Sequence, residues 1–216
     1  MKSYWKKIIE NNKSVWFNKK FLLSVFVGLI FVSISLVANY IAGNYATEKA
    51  SGPVTDIILS NTPAFDVDGV FIYGSIILFF FVLYLCFEDP RRLPFILKSL
   101  AVFVLIRSAF VGMTHIGPFP EQIPFQLNRF LQKITFGGDL FFSGHTGIPF
   151  LMALIFWKNE SLRILFLTVS AFFGAAVLLG HLHYSIDVFA AFFITYSIFH
   201  LSVYLFKKDY HLLLET

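Results

Sequence analysis

Residues 21–41 read FLLSVFVGLIFVSISLVANYI, an apolar run that contains no charged side chain. A helix of about 20 such residues crosses a hydrocarbon core of about 30 Å. Further apolar runs follow, and the chain of 216 residues is 57% hydrophobic and only 14% charged. Soluble domains are about 45–50% apolar and about 25% charged. This composition excludes a disordered chain and a disulfide-stapled module, and it indicates a polytopic membrane protein.

We therefore predict an all-α fold in which six transmembrane helices form a bundle. The basic, Trp-containing residues 1–20 are predicted to form an interfacial N-terminal helix. Residues 21–208 would form the six-helix membrane domain, and residues 209–216 a cytoplasmic tail. The fourth span is short, which suggests that it begins within protein or a wet cavity. The predicted spans cover residues 21–41, 67–87, 95–113, 143–157, 164–180 and 186–206.

The distribution of basic residues predicts the orientation of the chain. The N-terminal arm, the turns at 88–92 and 158–163 and the C-terminal tail carry twelve Lys or Arg residues, against three in the other connections. Cytoplasmic loops are the ones enriched in Lys and Arg. Both termini are therefore expected in the cytoplasm, and the remaining loops, at 42–65, 114–140 and 181–185, outside it.

The first polar cluster on the outer side lies where the chain enters span four. Ser143 is a plausible N-cap, and Gly144 lets a ligand approach the backbone. Free amides at a helix start attract anions, phosphate above all. His145 would lie in the first turn, where it can donate a proton to a leaving oxygen.

The second cluster contains His183 and Asp187, four residues apart at the start of span six. If the sixth helix begins there, both residues lie on one helix face. A carboxylate bonded to one ring nitrogen fixes the tautomer and leaves the other nitrogen free as a nucleophile. Arg107, near the outer end of span three, could neutralise a phosphate group. Together these residues suit phosphoryl transfer without a metal.

Alternative interpretations of the histidines remain open. Each cluster taken separately could be a packing histidine or a structural hydrogen bond, although ionisable groups within spans are costly and usually functional. His181 and His183 form a His-x-His pair, which suggests a metal site less strongly because zinc sites use three or four protein ligands.

Residues 138–146 (GDLFFSGHT) and 183–188 (HYSIDV) together resemble motifs of the type 2 phosphatidic acid phosphatase superfamily. The S-G-H and H-x-x-x-D elements are those of the superfamily, and the longer forms are similar to the sphingomyelin synthase signatures G-D-x-x-x-S-G-H-T and H-Y-T-[IV]-D-V. The resemblance extends over about residues 60–200.

The resemblance implies a membrane enzyme that acts on lipid head groups at the outer leaflet through a phosphohistidine. His183 would be the nucleophile, Asp187 its partner and His145 the acid. Asp139 matches a family position, for which we expect a cap or hydrogen-bonding role. The expected partners are membrane lipids and a water or lipid-hydroxyl acceptor, with no nucleic acid, cofactor or metal.

The chain departs from these patterns at three positions. The phosphatase branch usually has an Arg where this chain has Val177, which weakens a plain phosphatase assignment. The synthases have a Cys at the position of Gly137 and an Arg at that of Ser197, so the substrate stays open. Lipid phosphate hydrolysis, head-group transfer, a non-catalytic lipid-binding scaffold and a transporter remain alternatives, although we see no inverted repeat typical of a transporter.

Overall fold

The computed structural model describes residues 12–13, 15–121 and 140–215. Within them the chain is helical, and no strand occurs in these ranges. Two short 3₁₀ helices, Leu59–Asn61 and Pro90–Arg92, lie between the α-helices. The α-helices are α1 (Lys19–Glu48), α2 (Asp68–Glu88), α3 (Leu93–Met113), α4 (Gly144–Ile155), α5 (Glu160–Leu179), α6 (Ser185–Leu205) and α7 (Lys207–Leu214).

Five helices are long and apolar enough to cross a membrane: α1, α2, α3 with the preceding 3₁₀ turn, α5 and α6. The all-helical, multi-pass prediction is confirmed at this level. The count of six spans is not confirmed, because α4 has 12 residues and is therefore about 18 Å long. The prediction that the fourth segment is short is confirmed.

The prediction of a loop over residues 42–65 is wrong for its first part. Helix α1 continues to Glu48, although its last turns are less apolar than residues 21–41. No residue in that part prevents a helix, since the first strong breaker is the Gly52-Pro53 pair. Most of the predicted tail forms α7, and its cytoplasmic location stays a prediction.

The connections gather at two ends of the bundle, as their alternation along the chain predicts. We call the end formed by residues 51–67, 114–121, 140–143 and 180–184 the site end. There the Ser51 amide donates to the His115 carbonyl at 2.7 Å. At the opposite end, Arg91 Nη1 donates to the Glu215 carbonyl at 2.8 Å. Which end lies outside the cell stays a prediction.

A buried ion pair joins three helices at the opposite end. Lys98 Nζ on α3 lies 2.6 Å from Asp209 Oδ2 on α7 and donates to Ser24 Oγ on α1 at 2.7 Å. Ser24 in turn donates to the other oxygen of Asp209 at 2.5 Å. Because each charged group has partners, the lysine is tolerated inside an apolar span.

The interior of the bundle is closely packed around α4. Phe103 and Phe142 are fully buried and meet edge to face at 5.3 Å between ring centroids. Gly147 lies so close to α3 that a Cβ atom there would be 2.7 Å from the Phe103 ring. The outer faces carry exposed aromatic rings such as Phe80 and Phe193, which is expected of surfaces that face lipid.

Candidate active site

The two sequence motifs meet at the site end of the bundle. The backbone amide of Ser143, just before α4, donates to the carbonyl of Asp187, in the first turn of α6, at 3.1 Å. This bond fixes the starts of the two helices relative to each other, although the motifs are about 40 residues apart in sequence. His145 and His183 are thereby brought to one cavity, which both side chains line.

Ser143 is the N-cap of α4, as predicted. Its hydroxyl accepts from the Thr146 amide at 3.4 Å and from the Thr146 hydroxyl at 3.2 Å. The residue is fully buried, so these contacts support a role in starting the helix. Gly144 lines the cavity, and a Cβ atom there would be 3.6 Å from Arg107 Nε. The approach of a ligand to the backbone at Gly144 stays a prediction.

His145 lies in the first turn of α4, as predicted, and lines the cavity. Its ring is 3.8 Å from the Phe71 ring of α2, between centroids, and 5.9 Å from that of Phe173 on α5. The two aromatic neighbours restrict the orientation of the imidazole. A restricted imidazole is a suitable proton donor, because general acid catalysis requires a fixed geometry.

His183 and Asp187 lie beside each other, but the expected hydrogen bond between them is not formed. His183 Nδ1 lies 3.5 Å from Asp187 Oδ2, which is longer than an ordinary N–H···O bond. Nδ1 has no hydrogen-bond partner among the described residues. His183 lies in the turn before α6 rather than on the helix itself. The carboxylate therefore lies near Nδ1 of an imidazole that also lines the cavity.

Asp187 is held in place by the turn that precedes it. The same Oδ2 atom accepts the Tyr184 amide at 2.9 Å, and only 1% of Asp187 is exposed. A carboxylate at this position caps the first turn of α6 and complements the positive end of the helix. These contacts fix Asp187 before any substrate is bound.

Arg107 on α3 completes the polar end of the cavity. Its Nε donates to the Phe142 carbonyl at 2.8 Å, and its Nη1 lies 3.4 Å from Oδ1 of Asn39 on α1. The guanidinium lines the cavity together with His145 and His183. Among the described residues that line the cavity, Arg107 is the only Lys or Arg.

The cavity has a volume of about 480 Å³, which is within the range of small-molecule sites. Its polar lining is confined to the site end, at Asn39, Ser75, Arg107, His145 and His183. The rest is apolar: Leu36, Phe71, Leu78, Phe79, Val82, Leu100, Phe103, Val104, Ile148, Pro149, Met152 and Phe173.

The remaining predicted residues lie elsewhere. Asp139 falls outside the described residues, as does Gly137. His181 is fully buried, and its two ring nitrogens lie 3.1 Å from the carbonyl oxygens of Glu121 and Thr62. It links loops at the site end and is not among the residues that line the cavity.

Sequence reasoning missed Asp56, in the loop between α1 and α2. Its carboxylate accepts the Ser185 amide and the Ser185 hydroxyl, each at 2.7 Å. It also accepts the amides of Ile58 and Leu59. The loop is thereby attached to the first residue of α6, between His183 and Asp187. A loop carboxylate gives no sequence signal for such a contact, because its partner is 129 residues away.

The hydrogen bonds around Asp56 also set its ionisation. Burial raises its pKa, but the hydrogen bonds from the Ser185 hydroxyl and from the three backbone amides lower it more, so that the pKa lies below the usual carboxyl value. Asp56 is therefore ionised at neutral pH and holds its four donors as a charged acceptor.

Residues 137–204 match the family model described as PAP2 superfamily C-terminal. The matched segment contains Ser143, Gly144, His145, His183 and Asp187, and it amounts to less than half of the chain. Comparison with curated proteins and with solved structures gives no match. The match supports a relationship of this segment to the type 2 phosphatidic acid phosphatase superfamily, and with it a membrane enzyme of the lipid phosphatase or phosphotransferase type.

Proposed function

We propose that this protein is an integral membrane enzyme that breaks a phosphate ester bond of a lipid through a phosphohistidine intermediate. One observation carries the proposal. His145, His183 and Arg107 line one end of a single cavity, and Asp187 lies behind His183. A nucleophile, an acid, a supporting carboxylate and a phosphate-binding cation are the groups that such a reaction requires.

In the first step, Nε2 of His183 attacks phosphorus and forms an N–P bond as the P–O bond to the leaving alkoxide breaks. The step requires His145 in its protonated form, and His145 gives this proton to the departing oxygen. The proton on Nδ1 stays with the imidazole, facing Asp187, whose charge stabilises the cationic phosphohistidine. Arg107 contributes a positive charge at this end of the cavity, which attracts the phosphate oxygens.

In the second step, neutral His145 removes a proton from the acceptor hydroxyl, which attacks phosphorus and breaks the N–P bond. His183 is released with its original protonation. The acceptor decides the outcome: water gives hydrolysis, and a lipid hydroxyl gives head-group transfer. The GDLFFSGHT and HYSIDV motifs favour a sphingomyelin synthase-like transfer. Lipid phosphate hydrolysis is the alternative, because it needs the same groups.

We further propose that the site end faces the extracytoplasmic side and that both termini are cytoplasmic. The support is the excess of Lys and Arg in the connections of the opposite end. The reaction would then use lipids of the outer leaflet. Cysteine labelling with a membrane-impermeant reagent tests the orientation, at Ser51→Cys for the site end and at Lys158→Cys for the opposite end.

The activity is tested with protein purified in detergent and offered phosphatidic acid, lipid pyrophosphate, or phosphatidylcholine with ceramide or diacylglycerol. Free phosphate and head-group exchange are followed together. We expect turnover of at least one substrate, resistance to chelator, and loss of activity in His183→Ala. His200→Ala is the matched control, since His200 is exposed and lies far along α6. Binding or transport of lipid with no bond cleavage would contradict the proposal and favour the scaffold or the transporter.

A further inference from the structure

The apolar part of the cavity runs away from the proposed catalytic groups into the bundle. On α2 it extends from Phe71, beside His145, to Val82, a distance of about 16 Å along the helix. On α3 it extends from Arg107 to Leu100, and on α4 from His145 to Met152, about 10 Å in each case. The three helices therefore form one elongated, apolar space below a polar end.

The far end of this space is closed by the core of the bundle. One turn beyond Val82, Leu100 and Met152 lie Leu85, Ile96 and Phe156. These three residues are buried and belong to one hydrophobic cluster. An apolar group that enters from the site end thus meets packed side chains at the level of Val82, Leu100 and Met152.

Helices α1 and α2 both contribute to the lining of the cavity. Helix α1 packs mainly against α3 and contributes only Leu36 and Asn39 to the lining. In α2, only 11% of the most apolar window is buried inside the protein. Of the five long helices, α2 is the least buried within the protein, so it is the one most exposed to the surrounding lipid.

We propose that the cavity holds one hydrocarbon chain of the substrate and that Val82, Leu100 and Met152 set the chain length the enzyme prefers. This inference rests on the proposed function, because it places the phosphate at Arg107, His145 and His183. The chain then lies along α2, α3 and α4, and its end contacts the three residues. Burial of each methylene group adds affinity until the chain reaches the closed end.

The test compares phosphate monoesters of short, medium and long alkyl chains in mixed micelles, with kcat/KM as the readout. Leu100→Phe fills the far end, and Leu100→Ala extends it. Leu83→Phe is the matched control, because Leu83 is exposed on α2 and does not line the cavity. Size-exclusion profiles and thermal unfolding establish that each variant is folded.

We expect Leu100→Phe to lower kcat/KM about tenfold for the long chain, because about two methylene groups lose their burial. For the short chain the decrease should be less than about twofold. Leu100→Ala should shift the preference towards longer chains, and Leu83→Phe should leave it unchanged. Equal effects of Leu100→Phe on all chain lengths, or a shift in the control, would overturn the inference.

A binding measurement separates this inference from the proposed reaction. His183→Ala protein is titrated with a fluorescent long-chain phosphate monoester, and unlabelled monoesters of each length compete with it. One outcome is that neither the wild type nor any variant turns over lipid, but competition depends on chain length and Leu100→Phe weakens the binding of long chains. The hydrocarbon-chain site would then stand, and the proposed reaction would be contradicted. If the wild type turns over lipid but neither assay depends on chain length, the proposed reaction stands and the proposed hydrocarbon-chain site is contradicted.

Discussion

Nδ1 of His183 lies 3.5 Å from Oδ2 of Asp187, and that oxygen also accepts the Tyr184 amide at 2.9 Å. The carboxylate therefore serves the backbone of the turn and the imidazole at once. Since Asp187 is almost fully buried, its position is set by the fold and does not depend on substrate.

The first prediction concerns Asp187. Asp187→Asn keeps the size of the side chain but removes the charge that stabilises a cationic phosphohistidine. We expect kcat to fall by about 10²–10⁴-fold with a smaller change in KM, because the interaction matters most after His183 has attacked. Steady-state kinetics on the best substrate of the panel measures both. An increase in KM with kcat unchanged would contradict the proposed role of Asp187.

The second prediction concerns Arg107. Arg107→Lys keeps the charge but loses the paired N–H donors and the bond from Nε to the Phe142 carbonyl. We expect kcat/KM to fall by at least about tenfold. We also expect inorganic phosphate and vanadate to inhibit this variant more weakly than the wild type. Lys98→Arg is unsuitable as a control, because Lys98 is in the buried ion pair. Arg163→Lys serves instead, since Arg163 lies at the opposite end, and it should have little effect.

The third prediction concerns Asp56, which attaches the loop between α1 and α2 to Ser185. Asp56→Asn should lower the thermal unfolding temperature and kcat together, because the start of α6 loses a charged acceptor. Asp66→Asn, in the same loop, is the matched control: Asp66 is exposed and accepts one local amide. If the two variants behave alike, the contact with Ser185 contributes little.

The pH dependence of Asp56→Asn follows from the lowered pKa of the carboxyl. A carboxyl whose pKa is lower in the folded protein stabilises the fold above its unfolded pKa, and this stabilisation is lost as the pH falls through the folded pKa. The difference in unfolding temperature between wild type and Asp56→Asn should therefore be full at pH 6 and shrink below about pH 4. A difference that stays constant down to about pH 2 would contradict the ionised acceptor.

The fourth prediction tests the close approach of α4 to α3. In Gly147→Ala the added methyl would be 2.7 Å from the Phe103 ring and 2.9 Å from Thr195 Oγ1. We expect a destabilisation of about 1–3 kcal/mol, typical of overpacking, and reduced activity because Gly147 lies half a turn beyond His145. Gly69→Ala is the control, since a Cβ atom there meets nothing within 4 Å. Equal unfolding temperatures for the two variants would contradict this packing.

Several features could be predicted from the sequence because their signals are local. The apolar runs predicted the long helices, and Ser143 predicted the start of α4. His183 and Asp187 are close, as their four-residue separation suggests, although His183 lies in the turn before α6 and not on the helix. The bounds of α1 could not be read in this way, because residues 42–48 are helical without being strongly apolar. Asp56 and Asn39 contact site residues that are distant in sequence, so only the folded chain reveals them.

The central claim is that His183 carries the phosphoryl group, and the stereochemistry at phosphorus tests it most directly. A substrate with a chiral, isotopically labelled phosphate is turned over, and the configuration of the product is determined by phosphorus NMR. Two successive in-line displacements, on and off His183, predict net retention. Net inversion would show a single direct transfer to the acceptor and would contradict the account.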